Sequence, residues 1–357
     1  EDAGFFYHSV GGTYWDETAC YSFSSDQVDR LDDITAELHR MCLDAAGEIV
    51  RAGRFAEFAI PAQYHDLIAE SWKRGEPSLY GRFDFSWDGD GEPKLLEYNA
   101  DTPTALLEAS VVQWHWLEDT HPKADQFNSL HEKLIERWKA IRSALGAARL
   151  HVSAMKDNDE DLGTTEYLRD CALQGGWDAR PLNIEDIGWN GEQFVDLDDQ
   201  PIEALFKLYP WEWLIRDEYG PHLRARPAAL IEPAWKMLLS NKALLAVLWE
   251  MHYGHPNLLP TYRTPQKFGA DFVKKPLLSR EGANVVIRSR GVVREQPGEY
   301  GAEGFIYQGV APLPEFGGRY PVIGSWIVGE QSAGMGIRED DSPITKNSSR
   351  FVPHYFT

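Results

Sequence analysis

Arg82, Asp84, Glu97 and Asn99 are the residues whose types and spacing most directly suggest chemistry. They lie in Tyr80-Gly-Arg-Phe-Asp-Phe-Ser-Trp and Lys94-Leu-Leu-Glu-Tyr-Asn-Ala, joined by Asp88-Gly-Asp-Gly-Glu-Pro. Two alternating stretches around a glycine-rich turn read as a β-hairpin. Side chains alternate faces along a strand, so Arg82, Asp84 and Ser86 share one face and Phe83, Phe85 and Trp87 the other. Leu95, Glu97 and Asn99 share a face of the second strand. A symmetric loop puts Asp84 opposite Glu97 and Arg82 opposite Asn99. Opposed like charges cost on the order of 0.2–1 kcal/mol, and a divalent cation reverses that sign. Two carboxylates and an amide oxygen are hard ligands suited to Mg²⁺, which takes the rest of its shell from water and substrate phosphates. Arg82 would then face transferring phosphate oxygens or an oxyanion. The alternative is a solvent-exposed strand face that is merely polar, and a bulge in either strand would undo the pairing.

A second group is basic. Lys242 sits in Ser-Asn-Lys-Ala-Leu-Leu, and Lys274 and Lys275 end Phe272-Val-Lys-Lys-Pro, followed by Arg280-Glu-Gly282-Ala-Asn284. A strand, a lysine, a proline and a glycine-containing turn with an arginine make a plausible phosphate cover, because turn N–H groups form an anion nest. The alternative is solvated surface lysines. Neither GxxxxGK[ST] nor a GxGxxG after a strand occurs. Asp157, Asp159, Glu160 and Asp161 form an acidic run, read either as a solvated loop or as a site for a cationic amine. The tryptophans Trp114, Trp116, Trp211 and Trp213 read as core.

These residues must be positioned by the elements around them. The first structured segment reads as a helix, with Ser24 or Ser25 as cap and Val28, Leu31, Leu38, Met41, Ala45 and Ile49 at helical spacing. A second helix is expected from Ala124 to Leu145. From Arg149 the pattern alternates: strand Leu150–Met155, helix Thr164–Leu173, then strands Arg180–Ile184 and Ile202–Tyr209, a small α/β unit. A helical pair follows over Pro233–Leu239 and Lys242–Met251. In the last third, Phe272–Lys275, Asn284–Arg288, Gly304–Gln308, Val322–Val328 and Ser332–Arg338 read as strands. Gly and Pro punctuation between them favours an antiparallel sheet.

At 357 residues, with 43% apolar and 12% aromatic residues, the chain is globular and long enough for two or three packed lobes. Its 35 basic and 56 acidic residues give a net charge of −21. That excludes nucleic acid and anionic membrane as partners over most of the surface, and any phosphate site must be built locally. Cys20, Cys42 and Cys171 are too scattered for a disulfide framework or a CxxC knuckle, which fits a reducing, cytoplasmic setting. No apolar run reaches membrane-spanning length.

The motifs taken together resemble the synthetase domain of the glutathionylspermidine synthase family, in its stand-alone acid–amine ligase branch. The matching pieces are Arg82-Phe-Asp-Phe, Leu96-Glu-Tyr-Asn-Ala-Asp-Thr-Pro-Thr, Lys207-Leu-Tyr-Pro-Trp-Glu, Asn241-Lys-Ala-Leu-Leu, Lys274-Lys-Pro through Arg280-Glu-Gly-Ala-Asn, Ile306-Tyr-Gln-Gly and Gly336-Ile-Arg-Glu-Asp, in order along nearly the whole chain. The resemblance implies an α/β (α+β) ATP-grasp-like fold with a pre-ATP-grasp domain. Residues 1–148 would carry the metal hairpin, 149–232 a pre-ATP-grasp-like unit on the acid and amine side, and 233–357 the lobes that clamp ATP. It implies that Asp84, Glu97 and Asn99 hold Mg²⁺ and that Lys242 and Lys275 contact ATP phosphates under a loop containing Gly282. Gln308 and Gly309 would lie along the adenine, and Arg82, Arg280 and Arg338 would stabilise the transferring phosphoryl group. Thr102 and Thr104 would contact the acid, with Glu160 and Asp161 as an acidic pair on the substrate side.

The activity so implied joins a small acid or peptide to an amine or polyamine through an acyl phosphate, using ATP and Mg²⁺. Two departures from the family pattern stand out. Bifunctional members carry an amidase with a Cys/His pair, and Cys20 has no such setting, so no hydrolase activity is expected. Leu208 and Pro210 fall within the family's Lys-Thr-Trp-x-Trp-Glu motif, with Leu208 at the threonine position. Losing that hydroxyl would disfavour glutathione. A different class of function, a non-catalytic ATP-binding sensor or scaffold, would keep nucleotide binding but be indifferent to Asp84.

Overall fold

The computed structural model describes Phe5, residues 14–346 and residues 349–357. Its longest element is the helix Ser25–Ala52. Ser24 caps it: its hydroxyl accepts from Gln27 N, and the Gln27 side chain accepts from Ser24 N at 2.9 Å, a reciprocal capping box. Gly53 ends it in the left-handed conformation, with its N–H on the last carbonyls. The apolar stripe expected from the sequence is buried along its full length. The helix is not the first element, however. Tyr21–Phe23 forms a strand parallel to His354–Phe356. A three-residue strand whose partner lies at the far end of the chain leaves no local pattern to read.

The described residues form three larger sheets and two two-stranded ones, and the site sheet packs on that helix. The site sheet is antiparallel and runs in the order Arg350–Val352, Gln331–Asp340, Tyr320–Val328, Tyr80–Ser86, Lys94–Asn99. The cover sheet, also antiparallel, runs Thr261–Tyr262, Phe305–Gln308, Phe272–Pro276, Val286–Ser289, Val292–Glu295. The third is parallel, in the order Asp178–Asn183, Arg149–Ala154, Ala204–Lys207, Ala229–Ile231, with the helix Asp159–Gln174 as a crossover. This is the α/β class with an antiparallel C-terminal part that the sequence suggests. Among the described residues no helix is long and apolar enough to cross a membrane. All three cysteines are free.

One expected helix is shorter than its pattern. It begins at Leu130 rather than Ala124, because the preceding residues bond to sheet edges instead: Asp125 exchanges bonds with Phe356, and Ser129 N donates to Ala333 O at 2.8 Å. The Pro233–Leu239 segment likewise contains only a single helical turn, Lys236–Leu239.

The core explains how the hairpin is oriented. Phe83, Phe85 and Trp87 are buried with Leu31, Leu38 and Cys42 of the long helix in one large cluster, and the Phe83 ring stacks on Tyr98 at 3.8 Å. Each such side chain contributes roughly 1.5–3 kcal/mol by burial. Committing the aromatic face to the core turns Arg82 and Asp84 to the opposite side. Trp116 and Trp211 are core as expected, but Trp114 is 37% exposed, and Trp213 lies against Arg280.

Candidate active site

In the hairpin, Arg82 pairs with Asn99, Phe83 with Tyr98 and Asp84 with Glu97. The register then shifts, so that Phe85 faces Leu95 and Ser86 faces Lys94. The uniform register expected from a symmetric loop therefore holds at the site end and fails toward the turn, because Leu96 is an extra residue in its strand. The Leu96 carbonyl accepts from Lys275 Nζ at 2.8 Å.

Arg82, Asp84 and Ser86 are buried and Glu97 and Asn99 half-buried, so this is not an exposed polar strand. Each carboxylate has a cation. Arg82 grips Asp84 with Nε at 2.6 Å and Nη2 at 3.0 Å, and donates Nη1 to the Thr104 carbonyl at 2.6 Å. Lys242 Nζ lies 3.1 Å from Glu97 Oε2 and donates to Ser279 O at 2.7 Å. Asn99 Nδ2 stands between the two carboxylates, 3.1 Å from Asp84 Oδ2 and 3.3 Å from Glu97 Oε1. Burial alone would raise the Glu97 carboxyl, but the Lys242 and Lys275 charges overcome it and hold it at about 2.

This donor set fits a hard divalent cation. Two carboxylate oxygens converge on one amide, and a half-turn of that amide exchanges its nitrogen for an oxygen. Among the described residues no three His, Cys, Asp or Glu side chains gather for a metal, so a site here rests on two carboxylates and Asn99.

Beside this face opens a cleft of about 720 Å³ lined by Asp84, Glu97, Lys275, Gly282, Gln308 and Gly309, among others. Six residues singled out in the sequence thus share one cleft. Burial pushes the Lys275 ammonium down to about 8, against the pull of Glu97. The turn containing Gly282 is tight: Glu281, Gly282 and Asn284 all have left-handed φ. A Cβ on Gly282 would come within 2.6 Å of Ile344 and 2.7 Å of the Thr345 carbonyl. Gln308 is buried and reaches Leu95 O at 3.4 Å. The Gly309 N–H is taken by Pro260 O at 2.7 Å. Lys274 is not part of the cleft lining, because its ammonium sits 3.7 Å over the Phe305 ring.

Arg338 and Arg82 line an adjoining recess with Asp84, Gly324 and Gly336. Arg280 is held elsewhere: Nε and Nη2 donate to Glu212 Oε1 at 3.0 and 2.9 Å, and Nη1 donates to Thr102 Oγ1 at 2.5 Å. Thr104 reaches the site through its carbonyl. Glu160 and Asp161 occupy the first turn of Asp159–Gln174, capped by Asn158 and not in a loop, where the helix dipole favours acid. Burial raises both carboxyls. Asp161 is pushed to about 7, with Glu160 adding to the effect, and Arg280 and Arg338 pull in the other direction.

Sequence reasoning missed several residues. Asp101 accepts from Lys207 Nζ at 2.7 Å and from Trp211 N at 2.8 Å, with Asp101 and Lys207 fully buried. Glu212 holds Arg280. Glu108, also fully buried, accepts from the Tyr14 hydroxyl at 2.6 Å. Asp101, Lys207 and Glu212 all lie inside the motifs quoted above, and that was the one available signal. Leu208 is buried in the second core cluster, and its N–H bonds Ser153 O at 2.7 Å, so at this position leucine is a packing residue.

Comparison with known proteins adds kinship to this geometry. Residues 1–357 match the model of a family described as glutathionylspermidine synthase preATP-grasp. A Haemophilus influenzae protein named "Putative acid–amine ligase" is 48% identical over 99% of this chain and 95% of its own length. Trypanothione synthetase of Crithidia fasciculata is 29% identical and the bifunctional glutathionylspermidine synthetase/amidase of Escherichia coli 28%. The chain spans only 53% and 58% of those two proteins. A glutathione synthetase-like effector from Globodera pallida, solved in its apo form, superposes with a TM-score of 0.58 at 10% identity, covering 94% of this chain and 89% of that one.

Proposed function

This chain belongs to the glutathionylspermidine synthase family, and from that premise we propose that it uses ATP and Mg²⁺ to join a carboxylic acid to an amine through an acyl phosphate. It is an enzyme of the carbon–nitrogen ligase class, as the names of its relatives indicate. One observation carries the finer reading: Asp84, Glu97 and Asn99 converge on one point at the edge of a cleft whose walls carry Lys275 and Gly282, with Arg82 locked on Asp84.

In this reading Asp84, Glu97 and Asn99 would hold Mg²⁺, which when bound supplies charge against the phosphate oxygens. Lys242 and Lys275 face the phosphates. The Gly282 turn covers them, and Gln308 and Gly309 border the base. Arg82, Arg280 and Arg338 stabilise negative charge as the γ-phosphoryl group passes to the acid's carboxylate oxygen, releasing ADP. The amine, deprotonated, then attacks the acyl carbon. The C–N bond forms as the C–O bond to phosphate breaks, and inorganic phosphate leaves. Thr102 and Thr104 lie on the acid side, and Glu160 and Asp161 meet the amine or polyamine.

The division 1–148, 149–232 and 233–357 belongs to the same proposal. Its support is that the residue 80–99 hairpin is completed by strands from beyond residue 320, making one ATP-binding body from both ends of the chain. The free cysteines argue for a cytoplasmic setting.

ADP release measured with Mg²⁺ across a panel of acids and polyamines tests the reading. Turnover is expected with at least one pair. Asp84→Ala should lower it by about a hundredfold or more. Nucleotide binding that is indifferent to Asp84→Ala, with no turnover on any pair, would instead describe a sensor and overturn the ligase.

A further inference from the structure

Arg280 stands at a seam between three parts of the fold. Its guanidinium has five N–H donors. Two meet Glu212 Oε1 at 3.0 and 2.9 Å and one meets Thr102 Oγ1 at 2.5 Å. The group also lies 5.9 Å from the Trp213 ring centroid. The arginine side chain keeps 27% exposure while Glu212 keeps 8%. The buried member of the pair is therefore the acid, and the two remaining N–H groups belong to the half-open one.

Glu212 is itself anchored. It follows Trp211, whose N–H donates to Asp101 Oδ2 at 2.8 Å, and Asp101 Oδ1 takes the Lys207 ammonium at 2.7 Å. Thr102 is the residue after Asp101. The contacts therefore close a ring that runs from Asp101 to Trp211, through Glu212 to Arg280, then to Thr102 and back. This ring joins the segment after the Glu97 strand, the short helix Trp211–Leu214 and the cover turn. The cover turn has a fixed shape, with left-handed φ at Glu281, Gly282 and Asn284, so whatever fixes Arg280 also fixes Gly282 over the cleft.

We propose that Glu212 is a positioning residue: it holds Arg280 against Thr102, so that the cover turn is closed and the two uncommitted N–H groups of Arg280 are aimed at an arriving anion before any substrate binds. An arginine with free N–H groups on both Nη1 and Nη2 is suited to a carboxylate or phosphate. Without the Glu212 charge, a long flexible side chain must be ordered by the substrate itself, and small misplacements at a transfer site are costly. The kinetic half of this proposal rests on the ligase reading, while its structural half does not.

The test uses Glu212→Gln, which keeps the shape and removes the charge, and Glu212→Asp as the conservative variant. Amide hydrogen exchange of residues 279–285 in the nucleotide-free protein should rise about tenfold in Glu212→Gln and return partway in Glu212→Asp. With an active acid–amine pair, kcat should fall roughly tenfold to a hundredfold, while KM for ATP stays within about threefold. Glu212→Gln should add nothing to the loss in Arg280→Gln, because one residue acts through the other. Unchanged exchange in Glu212→Gln, or losses that multiply in the double variant, overturns the proposal. Should Glu212→Gln not fold, exchange in Arg280→Gln examines the same clamp from its other side. If the unmodified protein turns over no pair at all, the ligase reading fails and the exchange measurement alone decides the clamp.

Discussion

Glu108 shows how much a single buried group can do in this fold. Burial is the largest influence on it, neighbouring Glu160 adds to that, and together they push its carboxyl from 4.5 up to about 7. A raised carboxyl holds its proton more tightly in the folded chain than in the unfolded one. Its contribution to stability is therefore complete below pH 4.5 and is lost as pH rises through 7. In metal-free buffer the urea midpoint should fall between pH 5 and 8, with about 2–3 kcal/mol of the loss belonging to Glu108. Asp161 acts in the same sense, so the comparison with Glu108→Gln isolates one group. That variant should have a shallower pH slope and outlast the unmodified protein at pH 8. Identical slopes would show that Glu108 is not the titrating group. Residues of this kind were hidden in the sequence for a physical reason. Asp84, Glu97 and Asn99 can be read because strand alternation fixes which face they share. Glu108, Asp101 and Glu212 are defined by partners some 70 to 110 positions away, and local periodicity carries no trace of those.

At the level of elements, the strand Tyr320–Val328 does the most to shape the site. Gly324 pairs with Asp84, and a Cβ there would come within 2.7 Å of Arg82 Cδ. Glycine keeps that strand low enough for the Arg82 fork to lie across it. Gly324→Ala should cost about 1–3 kcal/mol of stability through overpacking and lower ADP release well beyond that, because Arg82 must leave Asp84. Thermal melts with the ADP assay check it, and wild-type turnover in a folded Gly324→Ala would refute it. The sequence showed this strand and the hairpin separately, since each alternates. It did not show that they pair, because nothing in a period-2 pattern names the neighbour. The same limit explains the overlong Ala124 helix: its first turn has helical composition, but sheet edges compete for its backbone and win.

The whole molecule is held at its centre by buried charge as well as by aromatic packing. Lys207 with Asp101, and Lys236 with Glu232, sit almost entirely out of water. Removing one member strands the other, at about 3–5 kcal/mol. Lys207→Met should therefore lower the urea midpoint sharply. Asp101→Leu with Lys207→Met should recover most of that stability but not ADP release, since Trp211 N–H loses its acceptor and the Thr102 segment its anchor. Recovery of both together would show the pair to be structural only. The order in which such a molecule can be assembled follows from the sheet order. Gly324 leaves the ribosome 240 positions after its partner Asp84. At about 5–20 residues per second, Tyr80–Ser86 waits roughly 12–48 s with one side of its backbone unpaired, an edge open to the strands of other nascent chains. A chain interrupted before Tyr320 has the hairpin but not the strand that seats it, so the ATP site we propose comes into being only after Tyr320–Val328 has been made.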